Sequence, residues 1–158
     1  MPTRNKKAVQ ATSIRDARMT DLGFLVEGLE QNRRIEQRSS KDIKATAGDR
    51  REFREAIRER CVRVIDDHRK PVAFLCFRID FKVMYIRKRF FWVDLVFVDE
   101  RHRGKGYGKL LYEDAIRIAK RRRFKTIVLD IFESNTNSRS FHERLGFHPL
   151  YTIFQKRL

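Results

Sequence analysis

The chain has 158 residues, 41% of them hydrophobic and 37% charged, with 37 Lys and Arg against 21 Asp and Glu for a net charge of +16. This apolar content suffices for one core, and its regular interleaving with charge argues against a disordered chain. No apolar run reaches the roughly 20 residues that cross a bilayer, and the basic start Met1 to Lys7 leads into no hydrophobic signal region. The expectation is a cytoplasmic protein with no membrane partner. Cys61 and Cys76, the two cysteines, sit in strand-like runs, which argues against a disulfide framework or a zinc site, and no metal is expected. The positive charge favours polyanions and phosphorylated ligands and disfavours polycations, leaving nucleic acid, acidic protein and coenzyme open as partners; a homodimer is open too.

Residues 1–8 read as a basic tail and 9–158 as a single domain. Thr12 to Ala17 is an expected edge strand, and Thr20 or Asp21 caps a helix with Leu22, Leu25, Val26 and Leu29 on one face. That helix is expected to fray near Asn32, with the polar stretch Arg33 to Gly48 as the mobile segment. A second helix starts near Asp49 with Phe53, Ala56 and Ile57 buried, and with Arg51–Glu55 and Glu55–Arg58 spaced for ion pairs on the exposed side. Val62 to Ile65 and Val72 to Ile79 read as strands joined by a polar turn that holds His68. Phe81 to Arg89 mixes aromatic and basic residues. Phe90 to Val98 is the clearest central strand, and simple alternation places Trp92, Asp94, Val96 and Val98 on one face. A helix over Lys109 to Ala119 turns Leu111, Ala115 and Ile118 inward. Then follow a strand over Thr126 to Phe132, a helix from Asn135 to Leu145 stopped by Gly146, and a last strand near Tyr151 to Lys156.

Between the central strand and the next helix stands Arg103-Gly104-Lys105-Gly106-Tyr107-Gly108, which holds three of the seven glycines. Glycine lets the main chain turn with positive φ and approach a ligand closely, and the first amides of a helix lack internal acceptors. With the helix dipole and the charges of Arg103 and Lys105, these groups form an anion cradle. The P-loop pattern is absent, and the spacing Gly-x-Gly-x-Gly is not the dinucleotide fingerprint. The element order implies a mixed sheet with helices on both faces and a ligand at the carboxyl end of a central strand.

Arg103-x-x-Gly106-x-Gly108, preceded by Val96-Phe97-Val98-Asp99, resembles the acetyl-coenzyme A loop of the GNAT acyltransferase superfamily. Ile14 to Ala17 with Thr20-Asp21-Leu22, Pro71 to Phe74, and Asn135 to Phe147 ending in Leu145-Gly146-Phe147 resemble its first strand and helix, third strand and closing helix, in order. The likeness covers nearly the whole chain and is weakest between Arg33 and Arg50. It implies the α/β (α+β) GNAT fold, with a mixed central sheet of six or seven strands and helices on both faces. It also implies an N-acetyltransferase in which an amine, on a small molecule or a protein, attacks the thioester of acetyl-CoA directly. No serine or cysteine triad is needed for that route, and none is evident.

The resemblance further implies that the amides of Val96, Phe97 and Val98, at a splay in the central strand, hold the pantetheine arm and polarise the carbonyl. Those of Arg103, Gly104, Lys105, Gly106, Tyr107 and Gly108 would bind the pyrophosphate. Asn135 matches an asparagine that bonds the coenzyme arm, and it also suits a helix cap. His142 stands where many members carry a proton-donating tyrosine; a donor to the departing thiolate and a packed helix-face histidine are both open. Asp94 is the leading base because a charge on a buried strand needs a reason, although an ion pair with an arginine would also supply one. Glu133 and Glu27 are weaker bases. Arg87-Lys88-Arg89 is expected to flank the acceptor, and Lys120 to Arg123 reads as a solvated helix end. The alternative to an enzyme is a module of the same fold that binds acyl-CoA without efficient transfer and docks on nucleic acid or a protein.

Overall fold

The computed structural model describes residues 12–36, 38, 40–81 and 89–156. The basic tail, Arg87 and Lys88 therefore lie outside the described residues. One five-stranded sheet organises the chain, in the order β1 (Thr12–Asp16), β2 (Val62–Asp67), β3 (Lys70–Phe81), β4 (Phe90–Val98) and β5 (Ile127–Leu129). The first four strands run as an antiparallel meander, and β5 pairs parallel to β4. β2 and β3 meet through His68 and Arg69, whose positive φ values of 50° and 66° suit a tight hairpin turn.

Helices α1 (Leu22–Ile35) and α3 (Ala47–Arg58) cover one face of the sheet. There Leu25, Phe53 and Ile57 pack on Val62, Val64, Phe74 and Phe97. On the other face α4 (Tyr107–Arg121) sets Leu111, Tyr112 and Ala115 against Ile65, Leu75, Phe77, Phe91 and Val93. The short closing helix α5 (Thr136–Arg144) packs beside α4. A Cβ on Gly108 would come within 2.9 Å of the Phe141 ring, so this glycine lets the two helices approach. Arg121 ends α4 and Arg122 caps it with its guanidinium 5.8 Å from the Phe77 ring centre, at an exposed basic helix end as expected.

Four expectations are corrected. The sheet has five strands among the described residues, not six or seven: Thr126 to Phe132 shortens to Ile127–Leu129, and residues 151–156 run exposed with no neighbouring strand to bond. The helix expected to fray near Asn32 runs further, and helices continue among the described residues that follow. α1 continues to Ile35, α2 spans Ser40–Ile43, and α3 begins at a capping box in which the Thr46 side chain accepts from the Asp49 N–H and Asp49 accepts from Thr46 N–H. Arg33 bonds both Asp49 oxygens, at 3.1 and 2.8 Å, and ties α1 to α3. The pairs Arg51–Glu55 and Glu55–Arg58 do not form; Glu55 turns to a cleft. Finally, Trp92 does not share a face with Val96 and Val98, because β4 carries a bulge. Leu95 pairs with Cys76 and Val93 with Phe77, so Asp94 is the extra residue between them and the alternation changes phase there.

Candidate active site

The bulge at Asp94 coincides with the end of β4–β5 pairing. The two parallel strands are in register from Phe91–Ile127 to Val93–Leu129 and then part. The N–H of Phe91 bonds Thr126 O on the β5 side at 3.1 Å, whereas the N–H of Asp99 bonds Val72 O on the β3 side at 2.9 Å. Since amides alternate sides along a strand, the N–H groups of Val96 and Val98 face the parting, and Phe97 N–H faces β3. Arg103 Nε donates to Val98 O at 3.2 Å on that same open side. The Phe97 side chain is buried in the α1/α3 core and its N–H faces β3, so of the three strand amides expected to face the coenzyme only those of Val96 and Val98 face the parting.

The glycine loop leads from here into α4. Gly104 and Gly106 have φ of 76° and 82°, and a Cβ at either would meet nothing within 4 Å, so the main chain there borders open space. Gly106 caps α4 with no side-chain hydrogen bond, and the helix amides that follow have only a ligand or water to bond. Tyr107 contributes its amide only: its ring is buried, and its hydroxyl donates to Asp67 Oδ2 at 2.9 Å, fastening the helix start to β2. Gly108 supports α5 as described above.

A cleft of about 690 Å³ passes through the parting and is lined from both faces of the sheet, by Asp94, Val96, Tyr112, Asn135 and His142 among others. Residues 103–108 lie outside its lining. Asn135 caps α5, its Oδ1 accepting from Ser138 N–H at 3.1 Å. His142 is 3% exposed and enclosed by the rings of Tyr112, Phe141 and Phe147. Its Nδ1 lies 2.7 Å from the Ser138 carbonyl, which can only accept, so Nδ1 carries a proton. Its Nε2, 2.6 Å from the Tyr112 hydroxyl, then accepts from it in the neutral ring. Burial lowers the His142 pKa below its usual 6.5, against the Ser138 hydrogen bond, and burial raises that of Tyr112. Both ring nitrogens are thus engaged, and the hydroxyl at this point of the cleft belongs to Tyr112, a residue the sequence reading did not single out.

Asp94 accepts from Arg78 Nε at 2.6 Å, and burial raises its pKa against that bond. Glu133 is 85% exposed in its side chain and pairs with Arg139, while Glu27 bonds Gln31 on the exposed side of α1. Neither lines the cleft.

Besides Tyr112, sequence reasoning missed a set of acidic residues in the cleft: Glu36, Asp49, Glu52, Glu55, Glu59 and Asp130 line it together with Asp94, against Arg33, Arg38 and Arg78. Those arginines are matched, to Asp49 at 2.8 Å, Glu36 at 2.7 Å and Asp94 at 2.6 Å. Among the described residues Glu52, Glu55, Glu59 and Asp130 stand without an ion pair. The signal was present in α3, where Glu52, Glu55 and Glu59 recur at i, i+3 and i+7, but the arginines between them supplied a ready alternative partner.

A GNAT-type sheet parted beside a glycine loop defines an acyltransferase-family scaffold. Residues 29–147 match the Acetyltransferase (GNAT) family, and the chain belongs to it. Within it, a 57-residue stretch is 40% identical to the spermine/spermidine N(1)-acetyltransferase of Bacillus subtilis strain 168, covering 35% of this chain and 38% of that protein. The matched stretch thus spans little more than a third of that relative's length. Among solved structures, a tetramutant of the BH1408 protein from Bacillus halodurans superposes with a TM-score of 0.75 at 21% identity, over 92% of this chain and 99% of that one. The aminoglycoside N-acetyltransferase AAC(6')-Iy, in complex with CoA, gives 0.73 at 15% identity over 96% and 97%. At these identities the structural likeness speaks for the fold. Among the described residues, no helix is long and apolar enough to cross a membrane and no group of three or more His, Cys, Asp and Glu is placed to hold a metal.

Proposed function

We propose that this protein is an N-acetyltransferase that moves an acetyl group from acetyl-CoA to an amine of a polycationic acceptor of the polyamine class, by direct attack in a ternary complex. The observation that carries this reading is the four unpaired carboxylates lining the cleft of a chain whose net charge is +16. Net charge predicts the opposite preference, but an acceptor meets the local field of the cleft, which low-dielectric walls concentrate. Glu52, Glu55 and Glu59 rise along one side of α3 by about 5 Å and then about 6 Å, a spacing suited to ammonium groups separated by three or four methylenes. The named activity of the Bacillus subtilis relative agrees with this acceptor class.

The parted strands and the loop fit the coenzyme: inward-facing amides at Val96 and Val98, open space over Gly104 and Gly106, and cations at Arg103 and Lys105. When bound, the coenzyme supplies the acetyl group as a thioester. The chain's own groups then divide the work. Val96 and Val98 offer N–H donors in fixed directions, which stabilise negative charge developing on a carbonyl oxygen. Arg103 to Gly108 hold phosphate at the start of α4. Asp94, at the bulge and raised by burial, takes a proton from the acceptor's ammonium once Arg78 yields its hydrogen bond. His142 acts as a positioning residue that fixes the Tyr112 hydroxyl, the proton-bearing group on the α4 side of the cleft.

Thioester cleavage measured with spermidine, an aminoglycoside, a neutral amino acid and an acidic peptide, alongside coenzyme binding by calorimetry, tests the reading. The expected result is turnover highest with the polyamine and suppressed by salt. Preference for the acidic peptide would sink the acceptor class. Tight coenzyme binding with no turnover on any amine would replace the enzyme by the binding module.

A further inference from the structure

The carboxylates gathered in the cleft leave the net charge of +16 to be carried elsewhere. Part of it collects where α3 and α4 both stop, about 22 Å along α4 from the glycine loop. Each helix passes from its last residue through a cap, Glu59 or Arg122, to an arginine with positive φ, Arg60 at 55° and Arg123 at 62°. Glycine is the usual residue at such a position, because a side chain disfavours that conformation. This chain puts a guanidinium at both.

Beside these helix ends opens a cavity of about 260 Å³, lined by Asp16, Arg60, Arg63, Ile118, Arg121 and Arg122. Its single carboxylate does not balance its four cations. Arg63 holds Asp16 and also Asp114, the latter at 2.6 Å, and Asp114 meets Arg117 at 3.2 Å. Among the described residues Arg60, Arg121 and Arg122 are left without an ion pair. All three are exposed, as are Arg123 and Lys125 just beyond. Cations at a helix end complement its dipole, but that effect acts within each helix's own last turn. It does not account for arginines of two helix ends and β2 facing one concavity, where like charges repel.

We infer that this arginine-lined end binds the phosphodiester backbone of a nucleic acid, without regard to base sequence. A guanidinium presents a planar fork that matches two phosphate oxygens, which a lysine ammonium does not. A lone phosphate is met by one or two such forks. Three unpaired arginines in the cavity, with Arg123 and Lys125 beside it, suit a ligand whose charge repeats along its length. Contacts confined to phosphate position the ligand and carry no base information. A membrane surface fits less well, because docking there also inserts apolar side chains, and Ile118, the apolar residue lining this cavity, is 7% exposed. The groups proposed for the coenzyme lie at the other end of α4, so the two anionic ligands do not compete. The contact is likewise independent of the proposed acceptor.

Fluorescence anisotropy of the full chain with a labelled duplex DNA and a labelled single-stranded RNA of mixed sequence, over a salt series and with saturating CoA, tests this. The expected result is a Kd of about 10⁻⁵ M near physiological salt for at least one of them, unchanged by CoA. In Arg60→Gln/Arg121→Gln/Arg122→Gln/Arg123→Gln, binding should weaken at least about 30-fold and the slope of log K against log salt should flatten by about 3. Arg50→Gln/Arg51→Gln/Arg54→Gln/Lys70→Gln removes the same charge from exposed positions elsewhere and should change Kd less than about threefold. Arg121→Glu alone, on the exposed last turn of α4, should cost about tenfold and keeps the test open if the quadruple variant misfolds. No binding at low salt, displacement by CoA, or equal losses in the two quadruple variants overturns the inference. So does tighter binding to phosphatidylserine vesicles than to either nucleic acid, or an Arg121→Glu variant that binds as wild type.

Discussion

At the start of α4 the groups proposed to bind phosphate are main-chain amides from Gly104 to Gly108, the Arg103 N–H being bonded to Glu100 O at 3.3 Å, whereas the cleft carboxylates arrive from α1, α3, β4 and the segment after β5. The two regions have opposite electrostatics. One presents helix-end amides and cations suited to phosphate, the other carboxylates suited to ammonium groups. Their difference is also one of construction: backbone donors are set by local φ and by where a helix begins, while the acidic lining exists only because distant elements meet.

The contrast can be broken from either side. The largest effect is expected at Asp94→Asn, at the bulge in the cleft, which should lower kcat by roughly 10²- to 10⁴-fold and leave coenzyme affinity unchanged in calorimetry. Because burial raises the Asp94 pKa, wild-type turnover should fall as pH drops through a value above the usual carboxylate range, and the variant should lose that limb. Next, Gly106→Val forces a β-branched residue to φ of 82° and should weaken coenzyme binding about 100-fold, or about 2.7 kcal/mol. Its Cβ meets open space, so thermal melting should fall only by the backbone strain of about 1–3 kcal/mol.

On the acidic side, Glu52→Gln/Glu55→Gln/Glu59→Gln should raise KM for a polyamine about tenfold, or about 1.4 kcal/mol, with coenzyme affinity unmoved. The salt dependence of KM should flatten in the same variant. The smallest effect concerns His142. Its folded pKa lies below the unfolded value of about 6.5, so the unfolded chain binds the extra proton first as pH falls. Stability is therefore full above that value and declines below it, a slope that His142→Phe should remove from urea titrations.

The glycine loop was legible because three glycines between a strand and a helix constrain the local backbone without reference to anything else. The capping of α5 by Asn135 was legible for the same reason. The bulge was not: Asp94 was picked out as an anomalous charge on a buried strand, but an even alternation through Phe90 to Val98 hid the phase change that places it where β4 and β5 part. The helix start was placed at Asp49 and missed by a few residues, because Thr46 was read as part of a polar loop when its side chain caps α3. For the last strand, Tyr151 to Lys156 had strand composition, and composition does not provide a neighbour to pair with.

What the chain determines by itself is its periodic core, its helix starts and stops, and a turn whose glycines border open space, because each depends on residues a few positions apart. Tertiary structure alone decided that a protein of net charge +16 has an acidic cleft, that His142 has both nitrogens occupied by Ser138 and Tyr112, and that residues 151–156 pair with no strand among the described residues. Net charge is a sum over the whole chain, whereas recognition depends on which faces of which elements are brought together, and that is set by packing across the sheet.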